Sequence, residues 1–422
     1  MDFNTFLLRF GINPDNFEAI EASPIPFEHG FIYELVQRND LRTCPFCNTD
    51  DTYINDYRIV TINCSQNKEI KDVLRIKKIR FKCKQCKKTF TLPLRGIERR
   101  KSISLQTKQL IISSFTKMIT FQQIGEEFGL SKARILQIFD EMVKYVPRRV
   151  LPKIMCIDEI RFKEFLDQNF ACVLYDFEKS EVVDIIGNRQ KPYLNRYFNE
   201  FKKQELDNVE VFVSDMYDTY ASIYRKYFFK AIHIIDLFHV INQLTTAVNK
   251  IRSKVMNEGV IKGTLEYTFM KSKWRLFICN RKKISDSMHI HKQTLEKAHY
   301  GDMIIRCLHK SNTLWEGYSI LQELLNYSRY DTFDEALSFI LRISKKLIES
   351  SSPLLNAVGR TYHKWRIEIA NGLSKNKYNI HYSNSVAEGL NNKLKTVIKI
   401  AYGYHNFERF RNRALLILTY SK

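Results

Sequence analysis

Hydrophobic and polar positions change their pattern three times along this chain. Tyr53 to Ile62 and Val73 to Phe81 are β-like, with apolar residues interleaved among polar ones. From 100 to 146 the apolar positions follow a helical period, broken at Gly129-Leu130-Ser131. Pro147 and Pro152 mark a linker. After Lys153 come short apolar runs of the kind that form buried strands in α/β proteins. They predict strands over 154–158, 169–177, 181–187, 209–214 and 230–235. A helix at about 192–205 interrupts them, and helices follow Asp215 and Asp236. The stretch 240–380 offers no convincing strand and reads as helical, rich in Lys, Arg and aromatic residues. Helices over 385–400 and 405–420 close the chain, and residues 1–40 read as a short helical lead-in turning at Pro24 and Pro26.

Length and charge narrow the class. A chain of 422 residues exceeds one hydrophobic core and divides into domains. A hydrophobic content of 44% is that of an ordinary globular protein. The formal charge of +21 attracts polyanions, so nucleic acid is the expected partner. No membrane partner is expected, because no run of about 18 apolar residues is present to span a bilayer. The first residues, Met1-Asp2-Phe3-Asn4, do not open a secretory signal, which predicts a cytoplasmic protein. Nine cysteines, an odd number, favour reduced thiols and metal binding over disulfides.

Four of those cysteines are paired in sequence: Cys44-Pro45-Phe46-Cys47 and Cys83-Lys84-Gln85-Cys86. Two such turns can set four thiolates tetrahedrally around one structural Zn²⁺. The stretch between them, 48 to 82, exceeds the usual spacing, and a long β-hairpin absorbs the excess. Cys64, Cys156, Cys172, Cys279 and Cys307 lack paired spacing and read as small core residues. From Lys68 to Lys101 there are 14 Lys or Arg against three Asp or Glu. On a ribbon that charge predicts one basic face for phosphates, with Lys77 and Lys78 as contacts. Next, Phe121–Phe128, a tight turn and a second helix from Lys132 have the spacing of a helix-turn-helix, with Ser131 as N-cap. Lys132, Arg134 and Gln137 are then placed to reach DNA, while Ile124, Phe128, Leu130, Ile135 and Ile138 pack the pair. A plain helical hairpin fits the same pattern.

Three acidic residues stand in settings suited to catalysis. Asp158 ends the run Ile154–Ile157, Asp215 ends the run Val209–Ser214, and Glu388 lies near the start of an amphipathic helix. Carboxylates at strand ends face the crevice where α/β folds bind ligands, and their oxygens suit Mg²⁺ or Mn²⁺. The interval from Asp158 to Asp215 leaves room for two strands and a crossover helix before a fourth strand. That is the order of an RNase H-like fold, whose first and fourth strands lie side by side. The much longer interval from Asp215 to Glu388 implies a helical insertion. Glu159, Asp218 and Asp236 compete for the same roles. Glu159 faces the other side of its strand, Asp218 suits a helix N-terminus, and Asp236 either caps the next helix or acts with His239 near the centre.

The chain resembles the ISL-three family of bacterial insertion-sequence transposases. The resemblance rests on the cysteine pairs, on Ser214-Asp215-Met216-Tyr217 with Tyr220, and on Ile235–Val240. Its most specific part is Ser383–Lys395, continued by Ala401–Tyr404 and Asn406–Arg413. The segment Glu159–Lys163 departs from the family pattern, lacking an expected Gly-His. The resemblance implies Asp158, Asp215 and Glu388 as an Asp-Asp-Glu triad holding two Mg²⁺ or Mn²⁺ ions, cutting and rejoining double-stranded DNA at terminal inverted repeats and target. It implies a homodimer on paired ends. The expected fold is multidomain α/β: lead-in 1–40, zinc ribbon 41–95, helix-turn-helix 100–146, RNase H-like catalytic domain 153–240, helical insertion 241–380 and C-terminal catalytic helices 381–422. Two rivals remain: a non-catalytic DNA-binding regulator, and a nuclease of the same fold that does not join strands.

Overall fold

The computed structural model describes residues 3–10, 12–20, 24–27, 29–39, 43–91, 102–143, 150–162, 170–285, 287–290, 297–375, 385–400, 404 and 406–420. Of the two linker prolines, Pro147 lies outside them. The chain forms two compact units, 1–148 with 393–422, and 149–392.

In the first unit, α1 (Phe3–Arg9) is the one α-helix among the described residues of the expected helical lead-in. Three strands follow: β1 (Phe17–Ala19), β2 (Ile25–Phe27) and β3 (Gly30–Gln37). The reason lies in β3, where Tyr33, Leu35 and Gln37 are buried and the residues between them are not, the period of a strand. β3 pairs in parallel with β5 (Val73–Cys83), which forms a long antiparallel hairpin with β4 (Thr52–Asn63). β6 (Thr89–Phe90) adds to the far end of β5. Phe6, Leu7 and Phe10 of α1 cover one face of this sheet, over Leu35, Ile62, Leu74 and Ile76. Beyond Ile76 the buried positions of β5 are Ile79, Phe81 and Cys83, which pack with Phe90 and Cys44. Side chains alternate along a strand, so the core has changed face.

Three helices follow: α2 (Leu105–Ser114), α3 (Phe121–Phe128) and α4 (Lys132–Val143). Thr120 and Gln123 form a capping box at the start of α3. Gly129 ends it with φ +65°, a left-handed conformation that glycine adopts without strain. Phe115, Phe121 and Phe139 meet edge to face at the centre, with centroids 5.0–6.0 Å apart.

The second unit contains a five-stranded sheet ordered β11-β10-β7-β8-β9. Its strands are β7 (Ile154–Arg161), β8 (Phe170–Asp176), β9 (Glu181–Ile186), β10 (Val211–Ser214) and β11 (Ile232–Ile235). The first three are antiparallel neighbours, while β10 and β11 run parallel to β7. The first strand of this unit therefore lies beside its fourth. β7 continues past Asp158, because β8 pairs with it as far as Arg161 opposite Phe170. Helix α5 (Lys191–Asn199), the short α6 (Lys203–Leu206) and α7 (Asp218–Tyr227) lie between β9 and β11. Phe198, Phe212, Tyr220 and Phe228 fill the core they share with the sheet.

After β11 the chain is mainly helical: α8 (Leu237–Glu258), α9 (Leu265–Ser272), α10 (Tyr300–Leu308), α11 (Asn312–Leu325), α12 (Phe333–Ile348), α13 (Pro353–Lys364) and α14 (Arg366–Leu373). A two-stranded hairpin, β12 (Met288–Ile290) and β13 (Lys297–His299), interrupts a region expected to hold no strand. Strands this short fall below what periodicity reveals. Close packing seats α14 on the sheet: a Cβ at Gly372 would stand 3.0 Å from the carbonyl oxygen of Ile235.

The last two helices are α15 (Ser385–Ile400) and α16 (Phe407–Tyr420). The segment 381–422, expected with the catalytic domain, is divided, since 393–422 groups with 1–148. Arg413 explains the grouping. Its guanidinium is buried, donates to the carbonyls of Lys117 and Ile119 at 3.0 Å each, and lies 4.7 Å from the Phe121 ring. Arg409 adds two charged hydrogen bonds to Asp140, at 2.9 and 2.6 Å.

Candidate active site and metal centre

The four paired cysteines converge. Their sulfurs all lie within 4.8 Å of one another, the one such grouping of metal-ligating atoms among the described residues. Cys44 Sγ is 3.6 Å from Cys86 Sγ, and Cys47 Sγ is 3.6 Å from Cys83 Sγ. A tetrahedron with Zn–S bonds of about 2.3 Å has sulfurs about 3.8 Å apart, so the set fits zinc. The two turns share a geometry: the residues after the second cysteines, Asn48 and Lys87, both have positive φ, +53° and +58°. Burial raises the Cys44 thiol pKa, but hydrogen bonds from the backbone amides of Phe46 and Cys47 outweigh it and bring the group down to about 7. Cys47 goes the other way, pushed up to about 12 by burial and by its hydrogen bonds to Cys83 and Cys44.

The basic residues do not share one face. Along β5, Arg75 and Lys77 alternate with Leu74 and Ile76, whereas Lys78, Arg80 and Lys82 alternate with Ile79, Phe81 and Cys83. The core switches sides between Ile76 and Ile79, so the charges divide over both faces. Lys77 is exposed, with its ammonium 4.7 Å from the Tyr57 ring centroid. Lys78 is half-buried, and burial, aided by the Arg58 charge, lowers its pKa. In the helical part, Ser131 Oγ accepts from the Arg134 amide at 3.3 Å, as an N-cap does. Lys132 and Gln137 are exposed and Arg134 half-exposed, its guanidinium donating to Gln137 Oε1 at 2.6 Å. Of the residues expected to pack this pair, Leu130 is half-exposed and the other four are buried.

The acidic residues align by register. β10 sets Val211 opposite Ile154 and Val213 opposite Cys156. The same register, carried on by two positions, brings Asp215 level with Asp158. β11 sets Ser214 opposite Ile235, and at the next position Asp236 is level with Asp215. Three aspartates thus form a row across three parallel strands, where β10 and β11 end.

Each member of the row has different partners. Asp158 accepts from the Glu159 amide at 2.8 Å and from Asn391 Nδ2 at 2.9 Å. Burial raises its pKa, against the pull of those donors and of His239. Asp215 Oδ1 is buried and meets no hydrogen-bond donor among the described residues. Burial, with the charges of Glu159 and Asp158, pushes that carboxyl up to about 6, opposed by His239 and Arg189. Asp236 caps α8, accepting from the Phe238 amide at 3.1 Å, and its Oδ2 lies 3.7 Å from His239 Nε2. A cleft of about 470 Å³ opens beside Asp215, lined on one side by His239, Asn242, Gln243 and Lys250 of α8 and opposite by Thr361. A larger hollow, about 660 Å³, lies among Phe6, His29 and Asp72 and gathers none of these residues.

The competitors find other work. Glu159 forms an ion pair with Arg189, whose guanidinium stands 4.5 Å from the Phe170 ring and 4.9 Å from that of Tyr217. Asp218 is the first residue of α7, exposed, and 2.5 Å from Lys364 Nζ. Glu388 lies in the first turn of α15, but its side chain is outside the described residues. Sequence reasoning missed Asn391, Tyr175 and Arg189. The available signal was at Asn391, a polar residue in the buried stripe of Leu390, Leu394 and Val397.

A mixed α/β sheet carries this row of carboxylates at the carboxyl ends of β10 and β11, the place where such sheets bind ligands. Residues 155–414 match the model of the ISL-three family, described as transposase, and the chain belongs to that family. No curated protein matches the chain. No helix among the described residues is long and apolar enough to cross a membrane.

Proposed function

We propose that the chain is the DNA transposase of an insertion sequence, working through divalent metal at Asp158, Asp215 and Glu388. The observation that carries this is Asp215, a half-buried carboxylate whose buried Oδ1 meets no donor among the described residues, level with Asp158 where β10 ends. A buried charge is costly unless a partner or a cation balances it, and carboxylate oxygens suit Mg²⁺ or Mn²⁺. The strand order supports an RNase H-like domain, with α8 to α14 as its insertion. Glu388 enters by spacing: it precedes Asn391 by nearly one turn of α15, and Asn391 touches Asp158. Two ions held there would stabilise the attacking and leaving oxygens of an in-line phosphodiester displacement.

The protein's own groups set the stage for that chemistry. The Glu159 amide and Asn391 orient Asp158, and the polar wall of the α8 cleft receives the DNA strand beside Asp215. The four cysteines hold one Zn²⁺ that stiffens the ribbon. Lys132, Arg134 and Gln137 read the terminal inverted repeats in the major groove, and Lys77, on the opposite face of β5 from the half-buried Lys78, contacts a phosphate. Two copies act on paired ends, in association with the nucleoid. The domains are a ribbon at 41–95, a helix-turn-helix at 100–146, a catalytic domain at 153–240 joined by the first turns of α15, and an insertion at 241–380. The test incubates the protein with DNA carrying the element's end, a plasmid target and Mg²⁺. Joined products are expected. Cleavage without joining would leave a nuclease, and binding without cleavage a regulator.

A further inference from the structure

One buried polar relay fastens α15 to the sheet. Tyr175, on β8, is fully buried, and Asn391 is 7% exposed. The Tyr175 hydroxyl donates to Asn391 Oδ1 at 2.5 Å, and Asn391 Nδ2 donates to Asp158 Oδ2 at 2.9 Å. The direction of this relay is set at its carboxylate end, because an ionised carboxylate only accepts and so takes Nδ2, leaving Oδ1 for the tyrosine hydroxyl. A primary amide has nearly the same shape when turned end for end. Turned here, its oxygen would face the ionised Asp158 carboxylate, and its amino group would face the tyrosine hydroxyl. With the amide set by the carboxylate, the hydroxyl donates to Oδ1. The second oxygen of Asp158 is held by the Glu159 amide at 2.8 Å, so both ends of the carboxylate meet a fixed donor.

The choice of asparagine also has an electrostatic consequence. A lysine or arginine in its place would hold Asp158 as firmly but would repel a divalent cation at short range. An amide orients the carboxylate and leaves its negative charge intact. We propose that Asn391, aligned by Tyr175, is a positioning residue that sets the Asp158 carboxylate for metal. Because Glu388 lies nearly one turn earlier on α15, the same bond fixes the level of that helix against β7. The inference rests on the metal-site reading above.

Partners of this kind typically change metal affinity about 10- to 100-fold when removed. The experiment titrates Mn²⁺ against the intact chain, by calorimetry and by the rate of DNA-end cleavage, in the parent, Asp158→Asn, Tyr175→Phe and Asn391→Leu. Tyr175→Phe and Asn391→Leu should each raise the Mn²⁺ concentration for half-saturation by about 10- to 100-fold. Their cleavage rate should return to the parental plateau at saturating Mn²⁺. A merely structural loss would lower the plateau and leave the half-saturation point unchanged, and that result would overturn the proposal. So would parental Mn²⁺ affinity in both variants. If the parent bound no Mn²⁺, or Asp158→Asn bound it like the parent, the metal-site reading itself would fall, and this inference with it.

Discussion

Asp215 is the residue where folding and chemistry oppose each other. Its carboxyl sits at about 6 because it is buried, against 3.8 for a free aspartate. The folded chain therefore binds this proton more tightly than the unfolded chain does. By linkage, stability from this group falls as pH rises from about 4 to about 6, and above that the molecule bears the full penalty. A shift of that size corresponds to about 3 kcal/mol at most. We predict that Asp215→Asn makes the metal-free chain more stable at pH 8, by up to about 3 kcal/mol, with the gain vanishing below about pH 4. Urea unfolding at both pH values tests this, and equal stability at pH 8 would contradict it. The cysteines offer a second residue-scale test. Cys83→Ser removes one of four converging sulfurs and should release zinc on purification, as elemental analysis would read. Asp158, Asp215 and the cysteines were legible in the sequence because their signals are local, an apolar run ending in an acid and a matched pair spacing. Tyr175 and Asn391 were not. A tyrosine in a strand reads as a strand former, and its bond joins positions far apart in the chain.

At the scale of elements, α16 shows what local pattern omits. Its amphipathic period announced a helix, but nothing local told which core it joins. Arg413 decides that, by filling a pocket over Phe121 and satisfying two carbonyls in the turn between α2 and α3. Arg413→Leu should leave the Ile119 carbonyl without its donor and the Lys117 carbonyl with only the Ile119 amide, and cost about 2 kcal/mol in urea unfolding of the intact chain. Arg409→Ala should cost about 1 kcal/mol or less, because its ion pair with Asp140 is about a third or more exposed on both sides. Equal costs for the two would refute the assignment. The pair of helices α3 and α4 was legible from Gly129 and the spacing of Ile124, Phe128, Ile135 and Ile138. The segment 1–40 folds otherwise than its local pattern predicts, because β3 pairs not only with β1 and β2 but also with β5, a strand well beyond it in sequence. The basic hairpin was half legible. Its charge is evident in the sequence, but the change of buried face between Ile76 and Ile79 depends on what packs there.

At the scale of the molecule, charge is unevenly shared. Basic residues exceed acidic ones by 13 in 1–148 with 393–422, and by 8 in the longer segment 149–392. DNA affinity should therefore fall steeply with salt, with a log–log slope of about −0.9 per phosphate contacted. Lys77 and Lys78 point to opposite faces of β5, so one duplex lying on the sheet meets one of them. Lys77→Ala should reduce the slope by about one contact, and Lys78→Ala should leave it nearly unchanged. Equal reductions would show that DNA does not lie on one face. That the first and fourth strands of the sheet are neighbours was legible from the spacing of the runs, and the helices between β11 and α15 from the long gap before Glu388. The central claim, that Asp158, Asp215 and Glu388 form one metal-dependent centre, is tested most directly by DNA-end cleavage in Mg²⁺ by Asp158→Asn, Asp215→Asn, Glu388→Gln and their combinations. Each variant should lose cleavage to a similar degree, the losses should not add, and binding of the end should persist, with Asp218→Asn close to the parent. Normal cleavage by Glu388→Gln would remove the helix acid from the centre, and normal cleavage by all three would contradict the account.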